Sequence, residues 1–295
     1  MATDRRLDRA KGTMEATRSE ILAEGLTFPE GVRWHDGALW FSDMHAHTVL
    51  RLEPGGAAEV IATVPECPSG LGFLPDGTPL VVSMHDRRLL RLDPDGPREH
   101  ADLSALAPWH TNDMQVDRHG RAYVGNFGDD SAPPDPPRPT CLLLVEPDGE
   151  ARVVAEDLWF PNGIVLSADG GTLIVAETRS VPGKLTAFTV AADGSLSDRR
   201  VLASFDGGFP DGIAIDAEDG IWIAFPFADE LVRVTSDGEV DRRLPFPSPY
   251  AVALGGPDGR DLFVATAPSW VPEEAKKLRA GSVHRLTVQA PVPAR

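Results

Sequence analysis

Short apolar stretches, many of them alternating with polar residues, recur along the chain and are separated by Asp-Gly turns. Four such stretches follow Pro161-Asn162-Gly163, at residues 164–166, 172–176, 184–190 and 199–204. The second is rich in β-branched residues, which favour strands. Asp193-Gly194 separates the last two stretches, and Asp-Gly between alternating stretches indicates a β-hairpin. This segment therefore predicts four short antiparallel strands.

The unit occurs six times, and each copy begins with a Pro or Thr followed by one variable residue. The variable residues are Glu30, Ser69, Asn112, Asn162, Asp211 and Tyr250, separated by 39, 43, 50, 49 and 39 residues. Periods of this length are typical of propeller blades. We therefore predict an all-β fold, a six-bladed β-propeller built from four-stranded antiparallel blades.

The first and last units are incomplete in complementary ways. Residues 19–23 resemble a fourth strand with no three strands before it, whereas the last unit offers strands at 251–254, 261–266 and 282–288 and no fourth. We expect the N-terminal strand to complete the last blade, because this closes the ring and leaves no open sheet edge. The prediction is one propeller domain at residues 18–290, preceded by a mobile lead-in at 1–17.

In such a propeller the six variable residues converge at one end of the central channel, which we call the cup. Glu30, Asn162 and Asp211 supply carboxylate and amide oxygens there, and Asn112 supplies a fourth polar group. Oxygen ligands suit a hard divalent cation. Each of these residues, taken alone, is equally typical of an exposed turn. Together they predict a metal site for Ca²⁺, with Zn²⁺, Mg²⁺ and Mn²⁺ as alternatives.

Strand parity places the loop between the second and third strands of each blade on the same face as the cup. These loops and their neighbours bring candidate substrate-binding residues to the cup, namely His45, His85, His110, Asn126, Phe127, Glu177 and Phe227, in addition to Asn112. Two of the loops are long, and long loops in compact folds are often functional. One of them, at 268–280, contains a predicted short helix at 273–279.

Four motifs carry a resemblance to a known family. Phe28-Pro29-Glu30-Gly31, Asn112-Asp113, Phe160-Pro161-Asn162-Gly163 and Pro210-Asp211-Gly212, together with Asp117 and Asp216, resemble the family of SMP-30, gluconolactonase and luciferin-regenerating enzyme. The resemblance implies one divalent metal held by Glu30, Asn162 and Asp211, with Asn112 beside metal and substrate. It also implies hydrolysis of a lactone, with Asp211 as general base.

The position two residues before Asn112 departs from this family. Members that act on sugar acids carry an arginine there, whereas this chain has His110. The change removes a fixed bidentate donor, so a sugar lactone is less secure as substrate. Aromatic residues that face the cup would favour a more apolar lactone, although each is at least as typical of packing between blades. The candidates are Trp109, Phe127, Trp159, Phe209 and Phe227.

The predicted activity is therefore a metal-dependent lactonase that opens the lactone ring by hydrolysis. The metal would act as Lewis acid, and His45, His85 and His110 are alternative bases to Asp211. A serine hydrolase is disfavoured because the chain lacks a Gly-x-Ser-x-Gly motif. Two alternatives stay open: a metal-assisted cyclase, lyase or isomerase on the same scaffold, and a non-enzymatic interaction propeller.

Charge and cysteine content restrict the partners. With 28 Lys and Arg against 45 Asp and Glu, the net charge is −17, which disfavours nucleic acid and anionic membranes as partners. The first 20 residues are charged and lack the apolar region of a signal peptide. The 2 cysteines make no disulfide framework and fit a cytoplasmic protein. We expect a small-molecule lactone as partner and a monomer or weak homodimer.

Overall fold

Strands account for most of the chain that the structure describes. The computed structural model describes residues 19–131 and 135–293, so the predicted lead-in at 1–17 lies outside the described residues. Within these ranges, six four-stranded antiparallel sheets form the blades of a propeller. The innermost strands contact one another in chain order, and the last contacts the first, which closes the ring. The predicted six-bladed β-propeller is confirmed.

The strands have the following bounds, numbered in chain order from β1 (Glu20–Leu26). The first three blades contain β2 (Pro29–His35), β3 (Ala38–Asp43), β4 (Thr48–Leu52) and β5 (Glu59–Thr63); β6 (Pro68–Phe73), β7 (Pro79–Ser83), β8 (Arg88–Asp93) and β9 (Gly96–Asp102); and β10 (Thr111–Val116), β11 (Ala122–Asn126), β12 (Thr140–Val145) and β13 (Ala151–Leu158). The fourth and fifth contain β14 (Pro161–Leu166), β15 (Thr172–Glu177), β16 (Gly183–Val190) and β17 (Leu196–Phe205); and β18 (Ile213–Ile215), β19 (Ile221–Phe225), β20 (Glu230–Val234) and β21 (Val240–Pro245). The sixth contains β22 (Pro249–Gly255), β23 (Asp261–Thr266) and β24 (Gly281–Thr287), with β1 as its outermost strand.

The N-terminal strand closes the ring as predicted. β1 pairs antiparallel with β24, with Glu20 opposite Arg285 and Leu26 opposite Gly281. In the loop between β23 and β24, helix α1 (Pro272–Leu278) lies close to the predicted helix at 273–279. Among the described residues, no helix has the length and apolar character needed to cross a membrane.

The core is divided among the six interfaces between adjacent blades. Each interface holds its own buried apolar cluster; for example, Tyr123 and Leu142 of the third blade pack with Val175 of the fourth. The fully buried Trp222 of the fifth blade packs with Val264 of the sixth. These clusters exist because both faces of every blade are covered by a neighbour, so the strands carry apolar residues on both faces.

A buried ion pair fixes the turn at the end of the short strand β18. Asp216 is fully buried, and its carboxylate accepts hydrogen bonds from Arg233 Nε at 2.6 Å and from the backbone N–H of Gly220 at 3.0 Å. Arg233 is itself buried and also pairs with Glu218 at 2.9 Å. The third blade repeats the arrangement, since Arg121 Nε donates to Asp117 at 2.7 Å.

We expect Arg233→Met to destabilise the fold strongly, because it leaves the Asp216 carboxylate buried without its partner. Breaking a buried pair in this way costs about 3–5 kcal/mol, which lowers Tm by roughly 5–15 °C in a domain of this size. Arg243→Met is the matched control, because Arg243 pairs with Glu230 on the exposed side of the same blade. Thermal unfolding of the two variants makes the test, and equal Tm values would contradict the role of the buried pair.

Candidate functional site

A continuous line of side-chain hydrogen bonds joins the variable residues of four successive blades. Ser69 Oγ donates to Asn112 Oδ1 at 3.0 Å, and Asn112 Nδ2 donates to Asn162 Oδ1 at 2.7 Å. Asn162 Nδ2 in turn donates to Asp211 Oδ1 at 2.6 Å. All four side chains are buried. The convergence predicted from the repeat is therefore present across these blades, and it forms one wall of the cup.

The glycine that follows the variable residue allows this convergence. A Cβ on Gly31 would lie 2.4 Å from the carbonyl oxygen of Ser69, and one on Gly163 would lie 2.5 Å from that of Asp211. Gly31 also has a positive φ of 60°. Any side chain at these positions would push neighbouring innermost strands apart. The recurring glycine is thus a packing requirement of the ring.

The two acids of the cup share an environment that is poor in positive charge. Burial raises the pKa of Glu30 well above its ordinary value, and the carboxylates of Asp211 and Asp113 raise it further. Burial likewise raises the pKa of Asp211 to about 8, although the hydrogen bond from Asn162 opposes the change. Within residues 19–131 and 135–293, neither Glu30 nor Asp211 forms an ion pair with a Lys or Arg.

These donors fit a hard divalent cation. Glu30, Asn162 and Asp211 offer oxygen ligands only, and the two carboxylates have charge that no ion pair neutralises. In the described part of the chain, no three His, Cys, Asp or Glu side chains form a cluster suited to a metal. A metal here would therefore depend on an amide oxygen as well as on the two acids, which is chemistry that Ca²⁺ accepts.

An ion pair beside the cup was not foreseen from the sequence. Arg33 Nη2 donates to Asp113 Oδ1 at 2.6 Å and to the carbonyl oxygen of Met114 at 2.6 Å. Towards the opposite face of the propeller, Arg33 lines a cavity of about 710 Å³ between the far ends of the innermost strands. The guanidinium therefore lies between this cavity and the cup acids.

The predicted histidines line the mouth of the cup as neutral rings. The His110 ring lies 4.6 Å from the His85 ring and 4.6 Å from the Trp109 ring. Burial, together with the neighbouring His85 and Arg87, lowers the pKa of His110 to about 4. Burial also lowers the pKa of His45, whose ring stacks on Phe28 at 5.3 Å. A lowered pKa favours the uncharged imidazole at neutral pH.

Two of the candidate substrate-binding residues are fully buried and bonded to other groups of the protein. Asn126 Nδ2 donates to the carbonyl oxygen of Cys141 at 2.8 Å, and its Oδ1 accepts the N–H of Gly128 at 3.0 Å. Glu177 accepts the N–H of Trp159 at 2.9 Å and pairs with Lys184 at 3.5 Å. Asn126 holds the start of the loop that follows it, and Glu177 holds the loop before β14 and the strand β16, so we do not include them in the substrate pocket proposed below.

The two candidate phenylalanines have different environments. Phe227 is 63% exposed, and its ring meets that of Phe209 edge-on at 5.7 Å. Phe127 is partly buried and stacks on Phe160 at 4.1 Å. The guanidinium of Arg179 lies 5.9 Å from the Phe127 ring and is paired with Asp129 at 3.0 Å. Phe227 is thus free to touch a ligand, whereas Phe127 is held by its neighbours.

Fold and site together define a closed six-bladed propeller with a polar cup at one end of its axis. The sequence profile described as "SMP-30/Gluconolactonase/LRE-like region" matches residues 28–268, and the chain belongs to this family.

Named relatives and solved structures agree with this assignment. The chain is 26% identical to a pentonolactonase of Haloferax volcanii over 93% of this chain and 95% of that protein. It is 27% identical to a 6-deoxy-6-sulfogluconolactonase of Pseudomonas putida over 78% of this chain and 79% of that protein. The structure of a luciferin-regenerating enzyme superposes with a TM-score of 0.80 at 21% identity, covering 95% of this chain and 98% of the other.

We expect Arg33→Met to destabilise the metal-free protein by about 3 kcal/mol, because Asp113 then lies uncompensated beside two further carboxylates. Adding Asp113→Asn to the Arg33→Met variant removes the unpaired carboxylate, so it should restore much of the lost free energy of unfolding. Denaturant unfolding of the two single variants and the double variant, in the presence of chelator, gives the coupling energy. A coupling energy near zero would show that the pair contributes nothing to the fold.

Proposed function

We propose that the protein is a divalent-metal-dependent lactonase whose site is the cup. The observation that carries the proposal is the hydrogen-bonded line from Ser69 to Asp211, because it holds oxygen ligands and an acid of raised pKa at one point. Perturbed acids grouped in a concave site are typical of catalytic centres. The two lactonase relatives over most of the chain give independent support.

Each polar group of the cup has a distinct role in this proposal. Glu30, Asn162 and Asp211 would hold the metal, which when bound supplies Lewis acidity at the lactone carbonyl. Asp211 accepts a proton from the attacking water, whose oxygen bonds to the carbonyl carbon. The ring C–O bond then breaks, the proton passes to the leaving alkoxide, and a hydroxy acid results. Asn112 orients the water or the substrate without carrying charge.

Ca²⁺ is our proposed ion, because the cup offers hard oxygen donors and lacks thiolate and imidazole ligands. The family relatives indicate a small-molecule lactone as partner. Cys67 and Cys141 are buried and unpaired, which is compatible with the cytoplasm we propose.

Metal binding should stabilise the protein by about 2.7 kcal/mol at a hundredfold excess over Kd. The effect of chelator should also depend on pH. In the unfolded chain Asp211 titrates near its ordinary value, whereas in the metal-free fold burial raises its pKa to about 8. The metal-free fold therefore loses stability as pH rises from about 4 to 8, because it must then hold a buried carboxylate.

Thermal unfolding of the protein with added Ca²⁺ and with chelator, at pH 5 and pH 8, measures both effects. The difference in Tm should be larger at pH 8, since metal binding requires ionised ligands. Equal Tm values with and without chelator at both pH values, together with no bound metal by elemental analysis, would show that the cup holds no metal.

Asp211→Asn should retain some metal affinity but lose turnover by about 10²- to 10⁴-fold, the contribution typical of a general base. Glu30→Gln should act through weaker metal binding, so excess metal should restore part of its rate. Asn112→Ala should raise KM more than it weakens metal affinity. Asp219→Asn is the matched control, because Asp219 lies exposed in a turn of the same blade on the opposite face.

Lactone hydrolysis measured against added metal separates these roles, with the hydroxy acid identified by the mass of one added water. If Asp211→Asn regains the full rate of hydrolysis at high metal concentration, Asp211 acts only as a metal ligand. The base would then have to be sought among His45, His85 and His110. An isomerised product of unchanged mass would instead support the alternative class of cyclases, lyases and isomerases.

A further inference from the structure

Apart from the clusters between blades, the described residues contain a further apolar cluster at the mouth of the channel. Phe28, Met44, Cys67, Met84, Tyr250 and Ala267 form it, with Phe127 packed against them. We call this set the collar. Its members come from the loops that lead into β2 and β6, from the loops after β3, β7 and β23, and from the start of β22. The collar therefore adjoins the first, second and sixth blades at the level of the cup.

The collar and the polar wall occupy different sides of the mouth. Hydrogen-bonded amide and carboxylate groups fill the side of the third, fourth and fifth blades, whereas the variable positions on the other side are Glu30, Ser69 and Tyr250. Tyr250 belongs to the collar, where its ring meets Phe28 edge-on at 4.7 Å. Two methionines lie in the collar, and their flexible thioether side chains adapt to apolar ligands.

Exposed aromatic residues lie on the same face of the propeller as the collar. In the described chain, all exposed Trp and Phe side chains lie in loops of the cup face, namely Trp109, Phe209, Phe227 and Trp270. The other exposed large apolar residues, except Val181 and Leu278 of the same loops, lie on outermost strands. An apolar rim around a polar centre is typical of a ligand-binding mouth.

The ring of His110 completes the apolar wall. It lies between His85 and Trp109, and Phe127 meets it edge-on at 6.4 Å. The neighbouring Arg87 directs Nη1 to the carbonyl oxygen of Ala107 at 3.1 Å, so it is bonded within its own blade. This wall presents imidazole and aromatic ring faces, and the nearby Arg179 guanidinium is paired with Asp129 at 3.0 Å.

From this arrangement we infer that the substrate is a lactone bearing an apolar alkyl or aryl substituent, held with its ring at the cup and its substituent against the collar and the Phe209–Phe227 pair. The inference rests on the proposed lactonase function and adds the substrate class. Burial of the substituent provides the selectivity, since apolar surface removed from water favours binding in proportion to its area.

A series of δ-lactones with matched rings tests the inference in the metal-loaded full chain. The series runs from δ-valerolactone through its methyl, propyl and pentyl derivatives, with glucono-δ-lactone as the hydrophilic comparison. We expect kcat/KM to rise by up to about fourfold for each added methylene and to exceed that for the sugar lactone. If kcat/KM stays constant or falls as the substituent lengthens, and is highest for the sugar lactone, the inference is overturned.

Two variants, each with a matched control, test where the substituent binds. Phe227→Ala should flatten the dependence on chain length, and Val60→Ala, an equally exposed apolar truncation on the outermost strand β5, should not. His110→Arg places a charge in the apolar wall and should lower kcat/KM for the pentyl lactone relative to glucono-δ-lactone. His119→Arg adds the same side chain in an exposed turn of the opposite face and should leave the ratio unchanged.

The outcomes separate this inference from the proposed function. The protein could open sugar lactones in a way that depends on metal and on Asp211, while kcat/KM does not respond to chain length, to Phe227→Ala or to His110→Arg. That result would overturn the apolar substrate class and leave the lactonase proposal standing. Failure to open any lactone in the panel, with metal bound, would overturn both. Elemental analysis of each variant shows whether the metal is retained, so a lost response is not mistaken for a lost site.

Discussion

The burial of like charges at the channel axis is the constraint on which the rest of the structure depends. Glu30 and Asp211 raise each other's cost of ionisation, and burial makes this cost larger than it would be in water. Such a site persists only when the surrounding fold is stable enough to hold it. The closed ring provides that stability, because each blade is buried between two neighbours and the pairing of β1 with β24 joins the two ends of the ring.

The apolar and polar sides of the mouth follow from the same repeat. The position after the initial Pro or Thr always faces the axis, so the residue placed there determines the local chemistry. Asn112, Asn162 and Asp211 form a hydrogen-bonded wall, whereas Tyr250 at the equivalent position joins an apolar cluster. One scaffold thus holds buried acids and an apolar cluster side by side. In this family of folds, the chemistry depends on single residues in a fixed backbone frame.

The sequence was informative wherever a feature depended on local pattern. Asp-Gly turns and alternating stretches predicted the blades, and the complementary end units predicted the pairing of β1 with β24. The pattern was less informative about side-chain direction. A register shift between Glu30 and Arg33 interrupts the alternation of β2, so counting along the strand does not reveal that Arg33 reaches Asp113. Asn126 looked like a ligand-binding residue because its loop shares the cup face, but its amide bonds to that loop.

Arg33 also determines the charge balance at the axis. Glu30, Asp113 and Asp211 together carry three negative charges when ionised, and Arg33 supplies one positive charge through its bond to Asp113. The remainder is two negative charges, which is the charge that a divalent cation neutralises. Arg33 pairs with Asp113, so this carboxylate is not free to act as a third acidic ligand. Glu30 and Asp211 are then the two acids that a metal could bind. The ion pair thereby limits the charge of the proposed donor set to that of two carboxylates, which suits the divalent cation proposed for the cup.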